Sequence, residues 1–311
     1  MTNIYSIKAE NSEMSMNPIE VDSGILKEGY TSLATLTQGS SEILFAFNKT
    51  TKLYDAYRLS DTAPYVTQIL KNNAGLEHYP WDSVKTFVLG NKPYIMAYEK
   101  HRGHFEFYEI KSDYTLSKAY GFMNQRSWPT QEFSEVEPIV ITGLMYILCY
   151  NDIHGTVAIF SLQVNATSPP YAAPDTPPLN MLNVWYHQWA RGWENFSFFT
   201  LGQSNFFFKI NKAKLNVNID HILDDPSIGS VEIGSYLQNQ LPNALDVSLA
   251  CIIPWAHGEP YLATYDGTTN ATNLYHIHAD CQGWSHLNTT PVMKSDQMIS
   301  YRVNDTSFIL Y

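Results

Sequence analysis

An all-β fold is predicted by three observations in the sequence. A frame centred on glycine recurs at Gly39, Gly90, Gly143, Gly202 and Gly258, and at Asn304 with asparagine in the glycine place. The steps are 51, 53, 59, 56 and 46 residues, and the count from Asn304 through Tyr311 and on from Met1 to Gly39 is again 46. A repeat that runs off one end and resumes at the other describes a ring rather than a row. Next, each complete frame carries two anchors fourteen residues apart, apolar in all but the Asp220 of the fourth, the spacing of two strands joined by a polar hairpin. Finally, no long window shows helical periodicity, while β-branched and aromatic runs alternate with Gly, Asn and Asp. Together these predict a six-bladed β-propeller, with the last blade closed by N- and C-terminal strands. It is read as one domain over residues 1–311.

The elements follow in chain order. The first frame gives Ile43 to Phe47 and then Tyr57-Arg58-Leu59. The second opens at Trp81 and continues with Tyr94 to Tyr98 and Tyr108-Glu109-Ile110. The third gives Tyr146 to Tyr150 and Phe160-Ser161-Leu162; the fourth, Phe206 to Ile210 and Asp220-His221-Ile222. The fifth gives Tyr261 to Tyr265 and Tyr275-His276-Ile277. The sixth stops at Tyr311 in mid-hairpin, and its missing anchor, Tyr5-Ser6-Ile7, stands at the N-terminus. Pairing the two ends leaves only short, protected sheet edges. The longest interval holds a proline-rich loop near residues 163–180, with five prolines among the eleven residues from Ser168 to Pro178. Proline fixes φ and donates no hydrogen bond, so this loop reads as stiff and extended.

Composition excludes several partners. The formal net charge is −11, which opposes the clustered Lys and Arg of a nucleic-acid or anionic-membrane footprint. No run of eighteen apolar residues is present, so membrane insertion is not expected. The first residues lack a charged-then-apolar signal segment. Cys149, Cys251 and Cys281 make an odd count without metal-like spacing; Cys149 and Cys251 fall inside apolar strands and read as buried free thiols. The expected location is cytoplasmic, or exported without a cleaved signal peptide.

Catalytic motifs are scarce. The chain has no Gly-x-Ser-x-Gly elbow, no phosphate-binding glycine loop and no His-Glu-x-x-His. His276-Ile277-His278 alternates as two ligands on one strand face would, but the position of His276 holds Arg58, Glu109, Ser161 and His221 in other frames. No metal and no cofactor are expected, and catalytic residues are left unassigned. Aromatics carry the binding reading: Trp185, Trp189 and Trp193 lie within nine residues, beside His187 and Arg191. Sugars bury C–H faces on such rings while polar neighbours take the hydroxyls. The candidate ligand-binding residues are Trp81, Trp128, His187, Trp189, Arg191, Trp193 and Trp284. Each tryptophan has a competing reading as packing between blades; Trp193 and Trp81 both stand nine residues before their glycine.

The pattern Trp-x-x-Val-x-x-Phe-x-x-Gly, then Pro-Tyr-x-x-x-Tyr, then Gly-x-x-x-x-Tyr-x-Ile, resembles the repeats of lectin-like β-propellers of fungi and bacteria. In size and blade count the chain resembles the six-bladed fungal fucose-binding lectins, without their repeated Arg and Glu: Arg58 and Glu109 are single occurrences. The resemblance implies a carbohydrate-binding, non-enzymatic recognition propeller, associated with defence or toxin systems, whose partner is a glycan or glycoconjugate. Repeated crevices would add affinity through multivalency, and an oligomer is compatible with that. The alternative is a propeller enzyme (a lyase, hydrolase or tailoring enzyme) with a single site at the central channel mouth. A protein-interaction scaffold is the third reading. The frames keep their apolar positions and not their polar ones, which favours a single-site enzyme over a multivalent lectin.

Overall fold

The computed structural model describes residues 3–10, 13–19, 29–122, 132–141, 144–164, 179–201, 204–214, 216–225, 230–240, 247–253, 260–278 and 283–311. The proline-rich run from Ser168 to Pro178, Trp128, Cys281 and the glycines at 143, 202 and 258 lie outside them. Twenty-four strands form six antiparallel four-stranded sheets, arranged as the blades of a β-propeller. In five blades the strands run in simple sequence order from the axis outwards. Gly39, Gly90 and Asn304 sit in the hairpin between the two innermost strands of their blades. That hairpin needs left-handed backbone, supplied by Gly39 (φ 63), by Gly90 with Asn91 (φ 58 and 63) and by Asn304 (φ 51).

The sixth blade is built from both ends of the chain. Its sheet runs Glu13–Ile19, Ile4–Glu10, Thr306–Leu310, Ile299–Val303 from the outside in. Ile4 faces Leu310, Tyr5 faces Ile309, Ser6 faces Phe308 and Ile7 faces Ser307. Asn3 and Tyr311 exchange two further backbone bonds, at 3.2 and 3.0 Å. The ring closure inferred from the frame spacing is thus a strand pairing.

Six apolar clusters fill the six spaces between neighbouring blades. The space between blades six and one holds Ile4, Leu44, Tyr57, Tyr301 and Phe308. That between blades one and two holds Phe45, Tyr54, Trp81, Ile95 and Tyr108. The anchors Tyr57, Tyr108, Phe160 and Tyr275 are all buried, which explains why the fourteen-residue spacing stays constant: strand length and burial fix it together. Blades one and two add buried acids two residues before the anchor. Asp55 accepts from the hydroxyls of Tyr30 and Tyr57, the latter at 3.1 Å. Glu106 accepts from Tyr108 and Lys118 and meets His104 Nε2 at 3.2 Å. Burial alone would raise the Glu106 carboxyl; its hydrogen bonds with His104, Lys118 and Tyr108 outweigh that and hold it down at about 2.

Closure makes a prediction. Deleting residues 1–8 exposes the backbone edge of Thr306–Leu310 and removes Ile4, Tyr5 and Ile7 from two inter-blade clusters. The expected loss is several kcal/mol, on the order of the whole stability of a domain, and thermal denaturation reads it; a truncated protein melting with the full chain would refute closure by pairing.

Candidate functional site

The six innermost strands, Ser32–Gln38, Ser83–Leu89, Glu135–Ile141, Glu194–Leu201, Leu249–Ile253 and Ile299–Val303, surround the axis. Neighbours in this hoop bond to each other. Ser32 Oγ donates to Val84 O at 3.1 Å, Thr86 Oγ1 donates to Thr35 O, and Ser300 Oγ donates to Ile252 O at 2.5 Å. They enclose a cavity of about 500 Å³ reached by all six blades. Volumes of this order suit a small ligand.

The cavity carries an acid–base group. On the inner strand of blade three, Glu135 and Glu137 are two residues apart and so share a face. Lys85, on the inner strand of blade two, stands at the level of Glu137: it pairs with Met96, and Glu137 with Leu148, each two residues before the strand-end tyrosine. Lys85 Nζ lies 2.5 Å from Glu137 Oε1. Burial acts against the Lys85 charge, but Glu137 more than offsets it, and the ammonium is held above its ordinary value. Burial raises Glu137 while Lys85 draws it back. The net shift of Glu137 is upward, and the charge-assisted contact with Lys85 opposes it.

Among the described residues, Glu135 has no cation at contact distance. Burial raises its carboxyl to about 7, and the Glu137 charge adds to the rise. Lys85 and the Asn195 backbone N–H, 3.2 Å from Glu135 Oε1, work in the opposite direction. Two carboxyls on one strand, one paired with a lysine and one raised to about 7, can divide acid and base roles between them.

The aromatic residues singled out in the sequence lie elsewhere. Trp81 is fully buried between blades one and two, stacks on His104, and donates from Nε1 to Leu76 O at 2.9 Å. Trp284 is half-buried against the cluster between blades four and five. His187 is exposed and tilts over Trp185, which meets Trp189 edge-on. Arg191 is exposed, and its carbonyl accepts from Asn211. Trp128 falls outside the described residues. None of the described six is among the described residues lining the axial cavity.

Trp189 and Trp193 converge on a lysine. Lys209 Nζ lies 3.5 Å from the Trp189 ring centre and 5.1 Å from that of Trp193, and it pairs with Asp220. Lys209 takes the place of Ala46, Ala97, Cys149 and Thr264 in the other frames, and Asp220 that of Tyr57, Tyr108, Phe160 and Tyr275. Both are buried. Burial pulls the Lys209 ammonium down while Asp220 opposes the shift. Blade four has therefore exchanged a small residue and an aromatic for an ion pair roofed by indole rings.

Sequence reasoning missed Lys85, Glu135, Glu137 and Asn195. A signal was available: Glu135-Val136-Glu137 places two acids, in strand alternation, just before a frame glycine, and Lys85 breaks an apolar stretch at a comparable place. Among the described residues no group of three His, Cys, Asp or Glu is placed to hold a metal ion. His276 and His278 have ring centres 6.0 Å apart, and His278 Nε2 bonds Ser285 Oγ at 2.9 Å. No helix among the described residues is long and apolar enough to cross a membrane.

No family model matches the sequence, and no curated protein matches it. Solved structures do match the fold. The periplasmic gluconolactonase of Pseudomonas aeruginosa superimposes with a TM-score of 0.51 at 9% identity, over 94% of this chain and 96% of that one. An exo-β-1,3-galactanase of Clostridium thermocellum gives 0.53 at 9%, over 94% and 70%. An α-L-arabinofuranosidase of the same organism gives 0.52 at 11%, over 84% and 93%. At such identities the likeness carries the fold alone. The expectation of a non-enzymatic lectin is nevertheless corrected: these neighbours are enzymes, and among the described residues the hoop does not repeat the Glu135, Glu137 and Lys85 group from blade to blade, as a multivalent lectin would repeat its polar residues. Aromatic packing and aromatic sugar platforms share one composition, and the structure places Trp81 and Trp193 in the packing between blades.

Two predictions follow from this geometry. A carboxyl raised above its unfolded value binds its proton more tightly in the native state, so stability falls as pH climbs from about 4.5 to about 7. Glu135→Gln removes that loss. It is expected to melt above the wild type at pH 8, by on the order of 1–2 kcal/mol after allowance for solvent access, and level with it at pH 4.5; thermal melts at the two values check the sign. For the ion pair, Asp220→Ala leaves a buried ammonium alone and should cost about 3–5 kcal/mol, whereas Lys209→Ala with Asp220→Tyr restores the pairing of blades one and two at similar volume and should be neutral or stabilising. Denaturant midpoints of the two variants compare these outcomes.

Proposed function

We propose that the chain is a propeller enzyme with one site in the axial channel, a hydrolase of an uncharged carbohydrate in which Glu135 transfers the proton. The observation that supports this is the trio of Glu135, Glu137 and Lys85 on adjacent inner strands, with Glu135 raised to about 7. In glycoside cleavage, protonated Glu135 gives its proton to the leaving oxygen as the bond to the anomeric carbon breaks. Ionised Glu137 stabilises the positive charge that develops there and accepts a proton from the attacking water, whose oxygen joins that carbon. Lys85 keeps Glu137 ionised down to a lower pH than burial alone would permit.

Charge narrows the substrate class. Among the described residues of the cavity, Glu135, Glu137 and Asp296 face one cation, Lys85, which is already paired. Lys294, in the adjoining recess, is exposed to solvent. With a formal net charge of −11 for the chain, phosphorylated and uronate sugars are repelled and neutral ones are not. The compartment that fits such a substrate is either the cytoplasm or the exterior.

The test is a panel of neutral aryl glycosides and sugar lactones with the purified chain. The expected rate profile is bell-shaped, with a basic limb near pH 7 from deprotonation of Glu135, and Glu135→Gln should lower kcat by about 10²–10⁴. Lys85→Met withdraws the cation from Glu137, raises its carboxyl, and should move the acidic limb to higher pH. Activity on lactones alone, rising through pH 7, would make ionised Glu135 a general base and overturn the glycosidase reading. Binding of a neutral glycan without any turnover would overturn the enzyme reading.

A further inference from the structure

The inner strand of blade four departs from regular pairing at the site. Glu194 pairs with Ile210 and Ser197 with Phe208, so three steps on one strand face two on the other, which is a β-bulge at Asn195 and Phe196. Asn195 has φ 53, the left-handed region. Asparagine tolerates it better than other side chains, at some cost in strain. No other described residue of the six inner strands is a non-glycine with positive φ. The bulge turns Phe196 into the cluster between blades three and four, where it is 5% exposed.

Asn195, a residue of the cavity wall, has two donors. Its backbone N–H holds Glu135 Oε1 at 3.2 Å. Its side-chain Nδ2 is buried and has no hydrogen-bond partner in the structure, while the residue lines the axial cavity. A buried amide donor without a partner is costly, and its retention beside an acid–base group calls for a ligand that completes it. The described anions around it, Glu135, Glu137 and the neighbouring Glu194, disfavour a charged acceptor.

We propose that Asn195 orients the substrate: Nδ2 donates to an uncharged oxygen of a sugar, a hydroxyl or the ring oxygen, beside the bond on which Glu135 acts. The backbone N–H fixes one oxygen of Glu135, which leaves the other to carry the proton toward the substrate. One residue thereby sets both the position of the acid and the register of the sugar against it. This inference rests on the reading of the channel as the reaction site, and its test separates the two.

Asn195→Gly is the informative variant. Glycine accepts φ 53 without strain and keeps the backbone N–H to Glu135, so the bulge and the acid persist. With the neutral glycoside that the wild type turns over, KM is expected to rise about tenfold, the effect of one lost hydrogen bond, while the basic limb of the pH profile stays in place. Asn195→Asp retains the backbone conformation but replaces the donor by an anion; it should raise the Glu135 carboxyl further and carry the basic limb to higher pH. The second readout needs no turnover: the side-chain amide resonance of Asn195, assigned by its loss in Asn195→Gly, should shift when glucose, galactose or arabinose is added to Glu135→Gln. A shift without wild-type activity supports the Asn195 contact and refutes the hydrolase reading. An Asn195→Gly enzyme with unchanged KM, or an amide resonance that no neutral sugar moves in an active protein, overturns the Asn195 proposal and leaves the hydrolase reading standing.

Discussion

Everything in this molecule depends on the pairing of Ile4–Ile7 with Ser307–Leu310. A propeller wall has no lateral support other than its neighbours, so the channel keeps its diameter only if the ring is closed. The four ladder pairs and the two Asn3–Tyr311 bonds close it, and they complete two inter-blade clusters at once. The distance between Lys85 and Glu137 is set across two blades that no hairpin joins at the axis. It is therefore a property of the closed ring and not of either blade.

The inter-blade clusters explain how polar groups were admitted. Each cluster is dominated by aromatic and aliphatic side chains from two sheets, and each departure brings its own partners. Asp55 is satisfied by two tyrosine hydroxyls, and Glu106 by Tyr108, His104 and Lys118. Lys209 has both Asp220 and the face of Trp189. Buried polar groups of this kind stay because removing one partner costs more than the pair contributes. In the channel, Glu135 is left with a raised carboxyl, and Asn195 with a side-chain amide nitrogen that has no partner among the described residues. Unpartnered buried atoms such as His104 Nδ1 and Tyr301 Oη also occur between the blades; the Asn195 amide differs in standing beside a carboxyl raised to about 7.

The correction of the lectin expectation has a physical basis. Tryptophans such as Trp81 and Trp193 were read beside an alternative as sugar platforms, and the structure buries both rings between blades. The acids and the lysine at the axis carry no periodic signal because they stand on the strand preceding each frame glycine. The repeat was aligned on the apolar strands that follow it. Glu135-Val136-Glu137 was visible as a string but had no meaning until the inner strand was known to face the axis.

The sequence by itself determined the ring: glycine spacing, the fourteen-residue anchors and the hairpin cut at Tyr311 are local and periodic, and each is imposed by strand length, turn geometry or burial. It also determined which strand closes the last blade, because an unpaired apolar edge at each terminus has one complementary partner. Tertiary structure alone decided the chemistry. Lys85, Glu135 and Asn195 are 50 and 60 positions apart along the chain, and no periodic rule relates them, since each blade delivers a different residue to the axis. Their proximity, the burial that raises Glu135, and the bulge that aims Asn195 exist only once six sheets have been brought around one channel.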